Sequence, residues 1–421
     1  MQESFIHEHI KRLCKIPRTF EFISQNLMGH DLVQTKIILD KLISKKILIK
    51  DESNYYSLKE NDDSSLDLYK QNPDLYLKKY MGHFDFLQTP HPLDYEWRNT
   101  TSTLKYLVGL ISKYNEINDS VLLLGMPTLF ASACQMDIPQ MVSLIESNTP
   151  IVESLKKYHN YKFNLFEKNI FEIDPNHFKR YYSVFMDPPW YYDHFINFIW
   201  FATQVVDLGG LIFISLPPLN TRPELDKERM KLLNFCSELG LCLEELYAQK
   251  LEYAMPFFEY NAMRAAGVSN LYPFWRKGDL AIFRKLHSTI IKRPETVKTK
   301  VDIWKEIDID GVRLRFKFAK KQEPSSQTKI QHLVEGDILP TVSSRHPIRK
   351  EANMWTSGNR IFQVSNSLKL YTDINNILLK NYEAETINDS LKFIKFLVDL
   401  ERKEFSNYLD WIYYEMERKT Y

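Results

Sequence analysis

Apolar positions change their spacing along this chain, and the change divides it into three regions. Over residues 1–58 they recur at helical intervals in ESFIHEHIKRLCKI, RTFEFISQNLM and DLVQTKIILDKLISKKIL. ILIKDESNYYSL then alternates as a hairpin with DESN at its tip. Three helices and a hairpin outline a winged-helix-like domain. The acidic, serine-containing ENDDSSLDLYKQNPD (60–74) follows as a linker. From 76 to 287 continuous apolar runs alternate with helical ones, which predicts an α/β, Rossmann-like domain with a mainly parallel sheet. Its buried strands fall at SVLLLG (120–125), MVSLIES (141–147), YSVFMD (182–187) and GLIFISL (210–216), with CLEELYAQ (242–249) and LAIFRKL (280–286) closing the sheet. PIVESLKKYH and WYYDHFINFIWFATQVV read as helices, and HPLDYEWRNTTSTLKYLVGLIS as a helical lip. Residues 300–421 form a mixed, partly helical accessory region. There, DIWKEIDIDGVRLRFKF predicts a hairpin turning at Asp310-Gly311, TVSSRHPIRKEANMWTSGNRIF a basic loop, and the last forty residues an amphipathic helical finish.

Composition narrows the class. With 421 residues, 44% hydrophobic and 26% charged, the chain has the balance of a soluble protein of two or three domains. A net charge of +1 gives no strong field for polyanions, so the small basic excess near DLVQTKIILDKLISKK favours a packing or dimerisation module over DNA contact. Nucleic acid and a second copy of the chain stay open as partners. Four cysteines without CxxC spacing indicate neither a zinc site nor a disulfide frame. The N-terminus shows no signal pattern and no long apolar run occurs, which implies a cytoplasmic protein with no membrane partner.

Candidate chemistry collects at the strand ends, where doubly wound sheets bind ligands. SVLLLGMPT turns at Gly125, whose missing Cβ allows close approach of a cofactor to the backbone, with Met126 and Pro127 beside it. Glu146 ends the next strand, at the spacing of the acid that accepts a ribose diol in nucleotide-binding folds. Asn169 and Glu172 follow in FNLFEKNIFEID, placed for an adenine amine. VFMDPPWYYD then sets Asp187, Pro188, Pro189 and Trp190 in a stiff corner. Two prolines fix the backbone, and the acid and a carbonyl are left to accept N–H bonds from a planar amine stacked on the ring. Tyr191 and Asp193 extend that surface. Pro217-Pro218 either walls the acceptor site or is a plain turn, and FFEYNAMRAAG, with Glu259, Tyr260, Asn261 and Arg264, is either a lid or an exposed helix start. Around Trp355, the residues Arg345, His346, Arg349, Lys350 and Arg360 suit a phosphate with a stacked base, or simply a solvated loop.

The strand–Gly, strand–Glu, strand–DPPW order resembles class I S-adenosylmethionine-dependent transferases. DPPW is similar to the acid-Pro-Pro-aromatic motif of amino-methyltransferases acting on adenine N6 or cytosine N4. That resemblance implies that Asp187 to Trp190 hold an acceptor amine while Gly125 and Glu146 hold the cofactor. The wider layout over residues 1–287 resembles the branched-chain polyamine synthase (N4-bis(aminopropyl)spermidine synthase) family, which transfers aminopropyl from decarboxylated S-adenosylmethionine to an internal spermidine nitrogen. The family's GDDD is Gly125-Met126-Pro127-Thr128 here, so only the glycine matches, with Asp187, Asp193 and Glu259 as partial replacements. The expectation is therefore an amine N-alkyltransferase, with methyl transfer to a nucleobase or nucleotide amine ahead of aminopropyl transfer to a polyamine. A winged-helix regulator or nucleotide sensor is the non-enzymatic alternative.

Overall fold

A capped helix start needs a side-chain oxygen just ahead of it, and the N-terminal region supplies two. Thr19 and Asp31 accept the backbone N–H groups of Phe22 and Gln34 and so open α2 (Phe20–Gln25) and α3 (Leu32–Ser44), after α1 (Gln2–Leu13). Strands β1 (Arg18–Thr19), β2 (Leu48–Lys50) and β3 (Tyr55–Leu58) pair antiparallel in the order β1-β3-β2. The expected hairpin is present, and the two-residue β1 is an addition too short to leave a pattern. The computed structural model describes residues 2–59, 87–117, 119–269, 271–288, 290–295, 304–318, 328–343, 346–380 and 388–418. The linker expected at 60–74 and Arg345 lie outside the described residues.

The central region contains α4 (Thr101–Tyr114), β4 (Ser120–Leu124), α5 (Pro127–Gln135), β5 (Met141–Glu146), α6 (Thr149–Leu155) and β6 (Phe163–Glu167). It continues through β7 (Tyr181–Met186), α7 (Tyr192–Val205), β8 (Val206–Leu216), α8 (Leu225–Glu238), β9 (Leu241–Glu252), α9 (Phe257–Ala265) and β10 (Lys277–Lys285). Seven strands form one sheet in the order β6-β5-β4-β7-β8-β10-β9. All neighbours from β6 to β8 are parallel, while β10 runs antiparallel to β8 and β9. This is the expected mainly parallel, Rossmann-like sheet.

The continuous apolar strands follow from burial on both faces. Val121, Leu123, Phe185, Leu211 and Phe213 pack with α4, α5 and α6, and Leu122, Leu124, Val184, Ile212 and Ile214 pack with α7 and α8. Strand β8 starts earlier than the apolar pattern suggests, and β9 runs on to Glu252, because backbone pairing carries both past their buried segments. The expected lip is helical only from Thr101. The prolines of TPHPL hold the preceding stretch out of helix.

The remaining elements are β11 (Trp304–Ile309), β12 (Val312–Lys317), β13 (Ile330–His332), β14 (Met354–Thr356), β15 (Ile361–Val364), α10 (Ser367–Lys380) and α11 (Asp389–Arg418). Five antiparallel strands run β11-β12-β14-β15-β13. The hairpin turns at Asp310 and Gly311, with φ of 52° and 85°, as expected for Asp-Gly. The stretch read as a basic loop instead supplies β14 and β15. At 3 and 4 residues these strands are too short for their alternation to register, although they are largely buried. Helices α10 and α11 cover this sheet through Leu370, Ile374, Ile394, Leu397 and Val398. Helix α11 has 30 residues, a length of about 45 Å. Its Tyr408 and Ile412 reach the core shared by α1, α2, α3 and α9.

Buried ion pairs tie the C-terminal sheet to the stretch before α4 and to α11. Arg313 is fully buried and donates to Asp94, to Glu306 Oε2 (2.8 Å) and to the Thr89 carbonyl (2.8 Å), while Arg315 also pairs with Asp94 and Glu306. Burial pushes the Asp94 carboxyl up, but the two guanidiniums outweigh it and hold the pKa at about 2. Beside them, His91 Nδ1 accepts from Leu93 N (3.1 Å), which leaves Nε2 to donate to the Trp355 carbonyl (3.2 Å). Glu401 of α11 is buried against Thr356, Gly358 N (2.9 Å) and Arg360 (3.3 Å). Removing one member of a buried pair strands its partner's charge, so Arg313→Ala is expected to lower stability by about 3–5 kcal/mol in urea unfolding. Arg313→Lys is expected to recover only part of that, because a point donor cannot reproduce the fork.

Candidate functional site

The strand order reverses between β4 and β7, and the two strand ends there lie side by side. Gly125 N–H bonds to the Ile145 carbonyl (3.1 Å) and Asp187 N–H to the Leu124 carbonyl (3.3 Å), which brings the ends of three strands to one edge. Gly125 has φ of 63°, a conformation that favours glycine and turns the chain directly into α5. Two cavities, of about 330 and 430 Å³, open at this edge. Tyr95, Glu96, Gly125, Pro127, Asp187 and Pro189 line both, so the cavities meet at the strand-order reversal.

The larger cavity lies over β4, β5 and β6. Glu146, Asn169, Phe171, His194 and Phe198 line it, with Ile145, Ile151 and Ile170 as apolar walls. Glu146 Oε1 accepts the N–H groups of Ser147 (2.7 Å) and Asn148 (2.9 Å). Asn169 uses its Oδ1 on Phe171 N (3.1 Å) and its Nδ2 on Glu172 (3.2 Å), so it shapes the loop that ends the cavity. Two buried polar atoms on these walls, Glu96 Oε2 and His194 Nδ1, have no hydrogen-bond partner among the described residues. Apolar walls, a carboxylate and orphaned polar atoms make a lining suited to a small ligand with both apolar and polar faces.

The smaller cavity is aromatic. Trp97, Trp190, Tyr191 and Tyr253 line it together with Tyr95, and Asp31 of the N-terminal region and Thr341, Val342 and Ser343 of the C-terminal region complete its wall. Asp187 Oδ2 accepts from Tyr253 OH (2.9 Å), which itself lies 2.6 Å from Ser215 Oγ. Burial raises the Asp187 carboxyl to about 6, against hydrogen bonds from Tyr253, Ser215 and Trp190 that pull it down. Among the described residues, the four arginines on the walls of the two cavities are all ion-paired: Arg98 with Glu96, Arg222 with Glu228, Arg276 with Glu259, and Arg315 with Asp94 and Glu306.

The structure thus gathers Asp187, Pro188, Pro189, Trp190 and Tyr191 in one cavity, and Glu146 and Asn169 in the other. Gly125 and Pro127 lie between them, with Met126 on the aromatic side. Asp193, Pro217, Glu259 and Tyr260, expected to bind substrate, line neither. Asp193 is exposed in the first turn of α7. Pro217 is buried, with its carbonyl held by Arg229. Glu259 is fully buried behind the wall, accepting from Trp97 Nε1 (3.1 Å) and pairing with Arg276. Tyr260 packs on Tyr408 and Trp411. Helix α9 is neither a lid nor exposed, because its Phe257, Tyr260 and Met263 complete the N-terminal core. Around Trp355, Arg360 is taken by Glu401 and Glu404, Arg349 sits 4.3 Å over the ring, and the indole donates to Asn359. Both the ring face and the Arg360 guanidinium are therefore spent inside the protein, which rules out the phosphate-and-base reading. Sequence reasoning missed Tyr95, Glu96, Trp97, Tyr253 and Asp31. The aromatic density of DYEWR was the one visible signal for the first three.

No family model and no curated protein matches the chain. Among solved structures, it is similar to the branched-chain polyamine synthase from Thermus thermophilus in complex with N4-aminopropylspermidine and 5′-methylthioadenosine. That match has 15% identity and a TM-score of 0.53, over 68% of this chain and 89% of that one. The C9 mutein of the same enzyme, with the same two molecules, gives 14% identity and a TM-score of 0.54 over 69% and 89%. At this identity the likeness establishes the fold.

Burial raises Glu146 to about 7, opposed by the Asn148 N–H, with Glu96, Ser147 N–H and Asp94 as further contributors. Because the folded chain holds this proton more tightly than the unfolded one, the group's contribution to stability is full below about pH 4.5 and is lost as pH rises through about 7. Stability is therefore expected to fall as pH rises between about 4.5 and 7. Calorimetry across that range checks the slope, which Glu146→Gln is expected to flatten.

Proposed function

We propose that this chain is an S-adenosylmethionine-type transferase that alkylates an amine nitrogen. The observation that carries this reading is the meeting of an apolar-walled cavity bearing Glu146 and an aromatic, carboxylate-bearing cavity at Gly125 and Asp187. Such a donor, or its decarboxylated form, supplies an electrophilic carbon on a cationic sulfur. Glu146 would accept its ribose diol, and the Ile170–Phe171 wall would enclose its base. Gly125 and Pro127 leave room at the reacting edge.

On the acceptor side, Asp187 holds the amine N–H and Trp190 flanks it, which fixes the lone pair in line with the carbon. As the N–C bond forms, the C–S pair returns to sulfur, and the surplus proton on nitrogen passes to Asp187 and on to water. A carboxyl of pKa about 6 suits that work better than an ordinary one. Asp31 and Asp187, set among five aromatic rings and ion-paired arginines, favour a small cationic amine over a polyanion. The aminopropyl reading, with a polyamine as acceptor, is thereby supported. Acids that GMPT lacks are present on the cavity wall from other parts of the chain. Methyl transfer to a nucleobase or nucleotide amine is the second reading, supported by the Trp190 face in the same cavity. The N-terminal region then serves as a wall of the acceptor site, since the capping residue of α3 lines the cavity.

The test is mass spectrometry of mixtures of the protein with either donor form and spermidine or nucleosides. Product is expected with spermidine, and the absence of product from every pair would refute transfer. Asp187→Asn is expected to slow product formation by roughly 100-fold or more with donor affinity nearly unchanged. Since the carboxylate is the active form, the rate should rise with pH through about 6. Tyr253→Phe removes a bond that favours the carboxylate, so the acid limb should move to higher pH.

A further inference from the structure

Glu96 stands out on the shared wall, because its two oxygens have opposite fates. Oε1 accepts from Arg98 Nε at 2.7 Å, and Arg98 is itself anchored by Nη2 on the Gln88 carbonyl at 2.6 Å. The backbone on either side is tied down as well: Ala254 N–H bonds to the Arg98 carbonyl (2.9 Å), and Asn99 bridges to Tyr253. The carboxylate therefore cannot swing away. Oε2 is buried without a hydrogen-bond partner, on a side chain only 11% exposed. An acceptor so desolvated is costly unless a donor arrives.

We propose that Glu96 is the anchor for the ammonium group on the tail of the donor molecule. This inference rests on the donor reading above and assigns its tail-binding residue. Glu96 lines both cavities, and so stands where the sulfur would bring the tail and the reacting carbon together. The acceptor's reacting nitrogen must be unprotonated, so it brings no charge to Glu96, whereas the donor's ammonium is carried on a tail attached to the same sulfur as the reacting carbon. Glu96 also lies near enough to Glu146 to help keep its proton on, and a cation between them would relieve both. The described arginines on these walls are already ion-paired, and Lys168 follows β6, two strands away from β4.

The experiment is calorimetry of the full chain and its Glu96→Gln variant with three probes: S-adenosylmethionine, decarboxylated S-adenosylmethionine and the tail-less 5′-methylthioadenosine. Glutamine keeps the shape and the Arg98 contact but loses the charge. Affinity for the two tailed probes is expected to fall roughly 10- to 100-fold, with 5′-methylthioadenosine unchanged. Glu96→Asp, which retains the charge, is expected to recover part of the loss. Unchanged affinity for all three probes in Glu96→Gln would overturn the assignment. An equal loss for all three would overturn it too, by showing a merely structural role. If the unaltered chain bound none of the probes, the donor reading itself would fall. Binding of 5′-methylthioadenosine without the tail effect would sink only the role of Glu96.

Discussion

The parallel pairing of β4 with β7 is the constraint on which the rest of the site depends. Parallel strands place their carboxyl ends on one edge, and the register of Leu124 with Met186 brings the next residues, Gly125 and Asp187, alongside each other. No side-chain interaction could hold two such different groups together so firmly. It is the backbone ladder, buried under Leu122, Leu124, Val184 and Met186, that fixes their separation. Around this pair the fold has only to add walls: an acid at the end of β5, a loop after β6, and a proline corner after β7.

The central strands were legible because both of their faces are covered, which leaves continuous apolar runs that no other arrangement explains as simply. The strand-end residues Gly125, Glu146 and Asp187 were legible for a related reason, since each terminates such a run. What the sequence concealed arrives from far along the chain. Asp31 reads as an ordinary helix cap, and it is one, yet it also lines the aromatic cavity. Tyr253 follows a polar edge strand and carries no motif. Glu259 read as a substrate acid on a lid, or as part of an exposed helix start, because nothing local announces its partners, Trp97 and Arg276, one of them more than a hundred and fifty residues away. Strands β14 and β15 escaped because a few residues cannot display a period.

Burying charge this deeply sets the character of the outer regions. Arg313, Asp94 and Glu306 join the stretch before α4 to the C-terminal sheet, and Glu401 with Arg360 joins that sheet to α11. Pairs of this kind contribute little net stability over apolar packing, but they tolerate few alternative arrangements. His91 shows the same economy of choice, since a neutral ring serves as acceptor on one side and donor on the other. Helix α11 extends the effect by touching both the C-terminal sheet and the N-terminal helices.

The two cavities differ in where their walls originate. The larger one is built almost wholly from the central sheet and the stretch before it, with Arg315 as its sole contribution among the described C-terminal residues. The smaller one borrows from the N-terminal helices and from the segment at Thr341–Ser343. Descendants of such a chain could thus retailor the second chamber by exchanging peripheral modules, while inheriting the first intact.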